Sequence, residues 1–315
     1  MLNSIRLQVN HTLRRFHHSP FTHSLIHSLR LTAVGVCNRR QGCDSRLPIA
    51  AYLCAMLKTT LIDAVQAGAD QLSHFFNGEF KISNKEGINN LVTEADHASE
   101  KAIIEVIKKE FPDHFILSEE TGEIPTQSEY KWIIDPIDGT VNFANGIPIC
   151  CVSIGVEKNG EMILGAVYNP LMNEFYFAQK GFGASLNDKK ISVSSKTEVI
   201  KSCLVTGFPY TYLDSPNGPI QVFEKLIRNG VPVRRLGSAA IDLCWVAAGR
   251  FDGFYEHKLQ AWDSAAGFLI VEEAGGKVTD FNGNYFSPHQ PHIIATNGKI
   301  HDELVSIVNG GAVGE

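Results

Sequence analysis

The stretch Trp132-Ile133-Ile134-Asp135-Pro136-Ile137-Asp138-Gly139-Thr140 decides how the rest of the chain is interpreted. Its apolar, β-branched start predicts a buried strand, and two carboxylates follow at the C-terminal end of that strand. Pro136 and Gly139 predict a turn at this point. Both carboxylates and the Ile137 carbonyl oxygen could then grip a hard cation, and Mg²⁺ fits such a set of oxygen ligands.

Two further acidic segments lie at the ends of predicted elements. Ser118-Glu119-Glu120 follows a short strand, and Trp262-Asp263-Ser264 opens a helix. Each acid alone has an ordinary explanation as a helix N-cap, a turn cap or a solvated charge pair, and for Asp263 that explanation is the N-cap of a helix over residues 264–274. If the acids converge, however, cations must neutralise their repulsion.

Two familiar motifs match the Asp135 stretch only in part. An EF-hand loop starting at Asp135 requires an oxygen-bearing side chain at Ile137 and a glutamate at Gly146, so that interpretation fails. The haloacid dehalogenase signature, Asp-x-Asp-Gly-Thr after a strand, is closer. Here two residues separate the aspartates, and Pro136 limits any adjustment. A phosphatase that forms a phospho-aspartate therefore stays open only as a minor alternative.

Charge separates the first 55 residues from the rest of the 315-residue chain. Residues 1–55 carry seven arginines, no lysine and one acid, a net charge of +6, whereas residues 56–315 have a net charge of −12. An arginine-rich, acid-poor start is typical of an organelle transit peptide, and a mis-called upstream start codon is an equal alternative. We predict an unstructured extension over residues 1–55 and a catalytic domain over residues 56–315. The expected location is the cytoplasm, or an organelle if the extension is a transit peptide.

The composition is that of a globular chain without a membrane span. Hydrophobic residues make up 44% and charged residues 20% of the sequence, and no apolar run approaches the roughly 18 to 20 residues of a membrane-spanning helix. The seven cysteines are odd in number and lack metal-ligand spacing, which favours free thiols. The acidic charge of residues 56–315 disfavours direct contact with nucleic acid.

Apolar spacing predicts layers of helices and strands. An amphipathic helix is predicted over residues 57–76, and a second over residues 94–111 with a capping box made by Thr93 and Asp96. Further strands are predicted at residues 115–117, 132–134, 149–156, 163–168, 174–178, 199–205 and 253–255, and further helices at residues 220–228, 238–248 and 263–274.

Four motifs together resemble the inositol monophosphatase family of Mg²⁺-dependent, lithium-sensitive phosphatases. They are Leu91-Val92-Thr93-Glu94-Ala95-Asp96, Glu119-Glu120, the segment from Asp135 to Thr140, and Trp262-Asp263-Ser264-Ala265-Ala266-Gly267. They occur in the family's order with matching intervals, over about residues 57–310. The resemblance implies an α+β fold, a layered αβαβα sandwich of the inositol monophosphatase/fructose-bisphosphatase type, in a protein that forms a homodimer.

The resemblance also implies a role for each matching residue. Two or three Mg²⁺ per subunit would be held by Glu119, Asp135, the Ile137 carbonyl, Asp138 and Asp263. Thr140, with Asp96 or Glu120, would orient the attacking water, and Lys85 would lie nearby. The substrate would meet Gly139, Thr140, Gly237, Ser238, Ala239 and Glu256. Two of these residues also have ordinary structural explanations. Asp96 could serve only as a helix cap, and Glu256 could be a surface acid after a strand.

The residues agree with a phosphoric monoester hydrolase that needs no cysteine, histidine or serine nucleophile, because paired metal ions lower the pKa of water and neutralise phosphoryl charge. Glu256 suits a polyol, since a carboxylate accepts two hydroxyl hydrogen bonds. We therefore predict that the substrate is a small phosphorylated polyol, foremost inositol 1-phosphate. Val141 and Asn145 depart from a threonine and a histidine common in the family. Histidinol phosphate is therefore the alternative substrate, and a non-enzymatic partner-binding role, known among bacterial relatives, is the alternative function.

Overall fold

The structure is a computed structural model that describes residues 49–76, 78, 81–84, 91–209 and 218–314. The chain divides into two compact units, Met1–Thr59 and Thr60–Glu315. The described part of the first unit is the beginning of helix α1, Ile49–Phe76. The predicted start near residue 57 was therefore too late, and residues 49–55, predicted to be unstructured, are helical. The run of Ala, Leu and Met after Pro48 favours this earlier start, since proline is tolerated just ahead of a helix.

The other elements follow in chain order. The helices are α2 (Glu94–Glu110), α3 (Thr140–Ala144), α4 (Pro219–Arg228), α5 (Ala239–Ala247), α6 (Ala261–Glu273) and α7 (His301–Val308). The strands are β1 (Ile82–Asn84), β2 (Leu91–Thr93), β3 (Phe115–Ser118), β4 (Gly122–Ile124), β5 (Tyr130–Asp138), β6 (Cys151–Lys158), β7 (Glu161–Asn169), β8 (Glu174–Gln179), β9 (Gly183–Leu186), β10 (Lys189–Lys190), β11 (Leu204–Thr206), β12 (Val233–Arg234), β13 (Gly253–His257), β14 (Lys277–Thr279) and β15 (His292–Thr296).

One predicted strand is wrong over its first half. Residues 199–205 were predicted as a strand, but Val199–Lys201 is a 3₁₀ helix and β11 begins only at Leu204. The Glu303 carboxylate accepts a hydrogen bond from the Val199 N–H at 2.8 Å, and the Ser202 hydroxyl donates to the Glu198 carbonyl at 2.8 Å. These side-chain contacts hold a helical turn that β-branched residues alone do not predict.

Two large sheets and their helices stack in alternating layers. The first sheet has the strand order β10-β9-β8-β7-β6-β5-β3-β4, and the second has the order β12-β11-β13-β15-β14. Helix α2 packs on β5 on one side of the first sheet, while α6 packs across β5 to β9, with α5 beside it. A Cβ at Gly165 of β7 would lie 2.8 Å from the Ala266 carbonyl oxygen, which explains the small residue where α6 crosses the sheet.

The second sheet is buried on both faces, as the alternation of its side chains shows. Phe254 and Ile293 pack into the core shared with α5 and α6, whereas their neighbours Tyr255 and Ile294 pack into a second core formed with α4 and α7. The order of layers is therefore helix, sheet, helix, sheet, helix. This confirms the predicted αβαβα sandwich.

Strand β5 carries the two central aspartates and contains a bulge between them. Asp135 is paired with Ser153 of β6 and Asp138 with Cys151, so three steps along β5 face two steps along β6. In a regular strand, residues three apart point to opposite faces, and the extra residue of a bulge restores them to one side. The turn predicted at Pro136 is thus a bulge inside β5, where a residue without an N–H is tolerated.

Removal of the N-terminal extension tests the predicted domain boundary. A chain shortened to begin at Met56 is expected to keep its melting temperature and its activity, because residues 51–55 of α1 are exposed or half-buried and add little to the core. A second chain beginning at Ile49, which retains all of α1, is the matched control. A large loss in the first chain but not in the second would place residues 49–55 within the catalytic domain.

Candidate active site

A cavity of about 580 Å³ lies at the C-terminal end of β5. Most of the residues predicted from the sequence to form a site line this one cavity, namely Glu119, Asp135, Ile137, Asp138, Gly139, Thr140, Gly237, Ser238, Ala239, Glu256 and Asp263. They come from segments more than a hundred residues apart in the sequence. The convergence of acidic side chains that the sequence left open is therefore present in the fold.

Asp135 lies deepest among these acids and is 1% exposed. Its Oδ1 atom is buried and has no hydrogen-bond partner among the described residues. Burial raises the pKa of Asp135 well above its usual range. Negative charges nearby raise it further, and they belong to Glu119, Asp138, Asp263 and Asp96. A buried oxygen with no donor and four acidic neighbours is costly for the folded protein unless something positive accompanies it.

Asp138 joins the end of β5 to the start of α5. Its Oδ2 atom accepts hydrogen bonds from the Ser238 hydroxyl at 2.6 Å and from the Ala240 N–H at 2.7 Å. Burial raises the pKa of Asp138 to about 6, although these two donors oppose the shift. The predicted substrate turn, residues 237–239, is thus fixed to a predicted metal ligand.

Thr140, the first residue of α3, contacts Asp96 in the first turn of α2. The Thr140 Oγ1 lies 3.2 Å from Asp96 Oδ1 and 3.0 Å from the Ile137 carbonyl oxygen. The other oxygen of Asp96 accepts hydrogen bonds from the N–H and hydroxyl of Thr93 at 2.8 Å and 2.6 Å, in the predicted capping box. Helix capping is therefore not the sole role of Asp96, because one carboxylate both caps α2 and faces the threonine.

The turn after β3 carries two glutamates. Glu119 lines the cavity, and Glu120 does not. The turn is anchored by buried Glu100 of α2, whose carboxylate accepts hydrogen bonds from the N–H groups of Glu120 and Thr121 at 3.1 Å and 3.0 Å. Glu100 also accepts a hydrogen bond from the Ser118 hydroxyl. The sequence analysis missed Glu100, which looks like any other acid on a helix.

The loop between β5 and α3 depends on a glycine and an asparagine. Gly139 has φ +90°, and a Cβ there would lie 2.8 Å from the Ile149 carbonyl oxygen, so only glycine fits. The Asn142 side-chain amide donates to the carbonyl oxygens of Ile149 and Leu236, each at 2.8 Å. Asn142 therefore holds the segment ahead of Gly237 against α3.

Glu256 and Asp263 also line the cavity. A Cβ at Gly207 would overlap the Glu256 carboxylate, which is buried over that glycine. Burial raises the pKa of Glu256 well above its usual range, and the surface location considered for this residue is wrong. The Asp263 Oδ2 accepts a hydrogen bond from the Gln260 N–H at 2.6 Å. Asp263 is therefore the third residue of α6 in a capping box, and its predicted place as the N-cap is wrong because α6 begins at Ala261.

The sequence that forms this cavity is similar to the sequences of known proteins. Residues 55–310 match the inositol monophosphatase family. The chain belongs to this family. It is 42% identical over 252 residues to Nus factor SuhB of Haemophilus influenzae, a match that covers 80% of this chain and 94% of that protein. It is also 42% identical over 243 residues to inositol-1-monophosphatase of Synechocystis, covering 77% of this chain and 85% of that one.

The fold agrees with solved structures of the family. The inositol monophosphatase of Anabaena superposes with a TM-score of 0.72 at 39% identity, and the match covers 82% of this chain and 98% of that one. The family resemblance inferred from the four motifs is thereby confirmed. Phosphatase chemistry, metal dependence and a dimeric state are typical of inositol monophosphatases.

The donor atoms of the cavity fit the hard metal ion that the family uses. The atoms predicted to bind the metal are all carboxylate or carbonyl oxygens, and Asp135 Oδ1 is a buried oxygen without a hydrogen-bond partner among the described residues. Within the described ranges, no three His, Cys, Asp or Glu side chains form a ready ligand set for one ion. Asp138 and Asp263 each direct an oxygen to a backbone N–H. The ligand assignment accordingly stays a prediction, supported by the oxygen chemistry.

Three charged residues of the cavity were missed in the sequence analysis. Arg235, Asp242 and Lys258 all line the cavity. Asp242 stands in the apolar helix α5, and a lone acid in such a helix was a signal that could have been used. Lys85 lies outside the described residues. Within the part of the chain that the structure describes, no helix combines the length and apolarity needed to cross a membrane.

Proposed function

We propose that this protein hydrolyses inositol 1-phosphate to inositol and phosphate in a Mg²⁺-dependent reaction. The observation that carries the proposal is the convergence of Glu119, Asp135, Asp138 and Asp263 on a cavity whose wall also holds Thr140 and Glu256. Acids at one end suit a metal-assisted attack on phosphorus, and Glu256 suits the hydroxyl groups of the leaving polyol. The identity with a Synechocystis inositol-1-monophosphatase supports the same substrate.

The acidic residues are proposed to bind the metal ions. Glu119, Asp135, Asp138, Asp263 and the Ile137 carbonyl would hold two or three Mg²⁺, and a cation would accompany Asp135 Oδ1, which has no hydrogen-bond partner among the described residues. When bound, the ions neutralise charge on the phosphoryl oxygens and make a water molecule easier to deprotonate.

The Thr140 and Asp96 pair is proposed to orient the attacking water. The Thr140 hydroxyl lies between Asp96 Oδ1 and the Ile137 carbonyl, so donation to either leaves its lone pairs able to accept from water. Glu120 is proposed as the alternative to Asp96 in orienting this water, and Lys85 is proposed to lie near it. On the substrate side, the N–H groups of Gly139 and Thr140 would donate to the phosphate, and the 237–239 turn with Glu256 would contact the polyol.

Release of phosphate from inositol 1-phosphate by the purified protein tests the proposal directly. We expect turnover that requires Mg²⁺ and is inhibited by lithium, at a kcat/KM above that for histidinol phosphate. Faster hydrolysis of histidinol phosphate would move the substrate to that alternative. No hydrolysis of either ester at saturating Mg²⁺ would contradict the proposal.

A partner-binding function is a second candidate, because the relative from Haemophilus influenzae is named a Nus factor. It predicts stable complexes that survive loss of the predicted metal ligands. Pull-down with wild-type protein and with Asp135→Asn would compare the two functions. We propose a homodimer as the active form, acting in the cytoplasm, or in an organelle if residues 1–55 are a transit peptide.

The stereochemical course at phosphorus distinguishes direct attack by water from a covalent route. Hydrolysis, in ¹⁸O-water, of a phosphate ester made chiral at phosphorus is expected to give inversion, because a single in-line displacement inverts the centre. Retention, or a phospho-aspartate trapped at Asp135, would indicate two displacements and would revive the haloacid dehalogenase alternative.

A further inference from the structure

Asp242 is an acidic residue of the cavity to which the proposed function gives no role. It lies in α5, lines the cavity and is 1% exposed. Its Oδ1 atom is buried and has no hydrogen-bond partner among the described residues. A buried carboxylate oxygen without a donor lowers the stability of the folded protein, and a bound hydroxyl group would remove that cost.

The local structure of α5 does not account for this side chain. The Asp242 N–H donates to the Ser238 carbonyl at 3.0 Å in an ordinary helical turn, and the helix has no side-chain cap. Its neighbours along α5, Ile241 and Leu243, are apolar and buried. By contrast, Asp252 is also buried, but its carboxylate accepts hydrogen bonds from the Cys203 N–H at 2.7 Å and from the Ser194 hydroxyl.

The charges that face Asp242 come from three other elements. Burial raises the pKa of Asp242 well above its usual range, Glu256 and Asp138 raise it further, and Arg235 opposes them. Glu256 experiences the same opposition from Arg235. Two carboxylates and one guanidinium therefore share the substrate side of the cavity, where a hydroxyl donor would satisfy the Asp242 oxygen that has no partner among the described residues.

We infer that Asp242 is a substrate-binding residue whose carboxylate accepts a hydrogen bond from a hydroxyl group of the leaving polyol, beside the one bound by Glu256. The inference rests on the proposed function. Glu256 on β13 and Asp242 on α5 approach the cavity from two elements, and a polyol carries several hydroxyl groups that two such acceptors can bind together. A leaving group without hydroxyls gains nothing from Asp242 and leaves its oxygen unpaired.

The test compares Asp242→Asn and Asp242→Leu with Asp252→Asn as the matched control. For each protein, kcat/KM is measured for inositol 1-phosphate, glycerol 2-phosphate and nitrophenyl phosphate, and the melting temperature is measured without substrate. Both Asp242 variants are expected to lower the ratio of polyol ester to nitrophenyl ester by about ten- to a hundredfold. Asp242→Leu should also raise the melting temperature by about 2 to 4 °C, since it removes an unsatisfied buried group.

The control should behave in the opposite way, because Asp252→Asn disturbs satisfied hydrogen bonds outside the cavity. It is expected to lower the melting temperature and to leave the substrate ratio unchanged. A melting temperature that falls in both Asp242 variants, or a ratio within threefold of wild type, would overturn the inference, since either result indicates a structural role.

Failure of the proposed function gives a different result. If the wild-type protein cleaves glycerol 2-phosphate but not inositol 1-phosphate, the proposed substrate is wrong, and Asp242 is still judged by the ratio of the glycerol ester to the nitrophenyl ester. A wild-type protein that cleaves neither polyol ester overturns both, whatever the melting temperatures show.

Discussion

An Asp135→Asn variant is expected to lose at least about a hundredfold in kcat/KM for inositol 1-phosphate, even at saturating Mg²⁺. Asp135 is buried among four other acids, and its Oδ1 has no hydrogen-bond partner among the described residues. An amide keeps the shape of the side chain but removes one negative charge. The remaining acids then recruit Mg²⁺ less well, because hard cations prefer charged oxygen ligands.

The same substitution should not harm the fold. The acidic neighbours of Asp135 raise its pKa, so removing its charge relieves repulsion in the metal-free protein. We expect an unchanged or higher melting temperature without Mg²⁺, together with a smaller rise when Mg²⁺ is added. Asp302→Asn, at a highly exposed residue paired with Lys277, is the control and should behave as wild type. Activity of Asp135→Asn within tenfold of wild type would sink the assignment.

The sequence predicted the acidic site well because strand ends and helix starts are local features. Thr93 and Asp96 have the spacing of a capping box, and the box is present. Asp135 and Asp138 follow a β-branched run, and both reach the cavity. What the sequence did not reveal is how they do so, since a bulge depends on the pairing of β5 with β6.

The residues that the sequence analysis missed contact segments that are far from them in the sequence. Glu100 looks like an exposed helical acid until the turn after β3 folds onto its carboxylate. Asp242 looks like a misplaced charge until α5 is set against the cavity. Asn142 is a plain helical residue in the sequence, yet its amide joins two loops through hydrogen bonds to Ile149 and Leu236. No periodicity marks contacts between residues so far apart.

These long-range contacts couple the predicted metal ligands to the predicted substrate turn. Ser238 and Ala240 donate to Asp138, so the predicted substrate turn cannot shift without disturbing a predicted metal ligand. Glu256 is outside that hydrogen-bonded link, because it lies on β13 and its carboxylate is buried over Gly207. Burial raises its pKa, and the charges of Asp263 and Asp138 raise it further, but in the described part of the chain no hydrogen bond joins it to either. A change at Glu256 should therefore alter substrate choice while leaving the hydrogen bonds of the predicted metal ligands in place.

Glu256→Gln is expected to change substrate preference more than metal use. A carboxylate that accepts hydroxyl hydrogen bonds from the leaving group contributes about 1.5 to 3 kcal/mol, or about ten- to a hundredfold in kcat/KM for inositol 1-phosphate. A nitrophenyl ester offers no such hydroxyls and should lose far less. The Mg²⁺ concentration for half-maximal activity should stay nearly constant, because Glu256 is not a predicted metal ligand.

Gly207→Ala provides a matched variant that keeps the charge of Glu256 but displaces its carboxylate. A Cβ at residue 207 would overlap that carboxylate, so the side chain must swing away from its place in the cavity. If position matters as much as charge, the two variants should lower the ratio of inositol ester to nitrophenyl ester to a similar extent. Equal losses on both esters in Glu256→Gln would instead mean that Glu256 supports the metal site or the fold, and the inositol assignment would then lose its strongest residue-level argument.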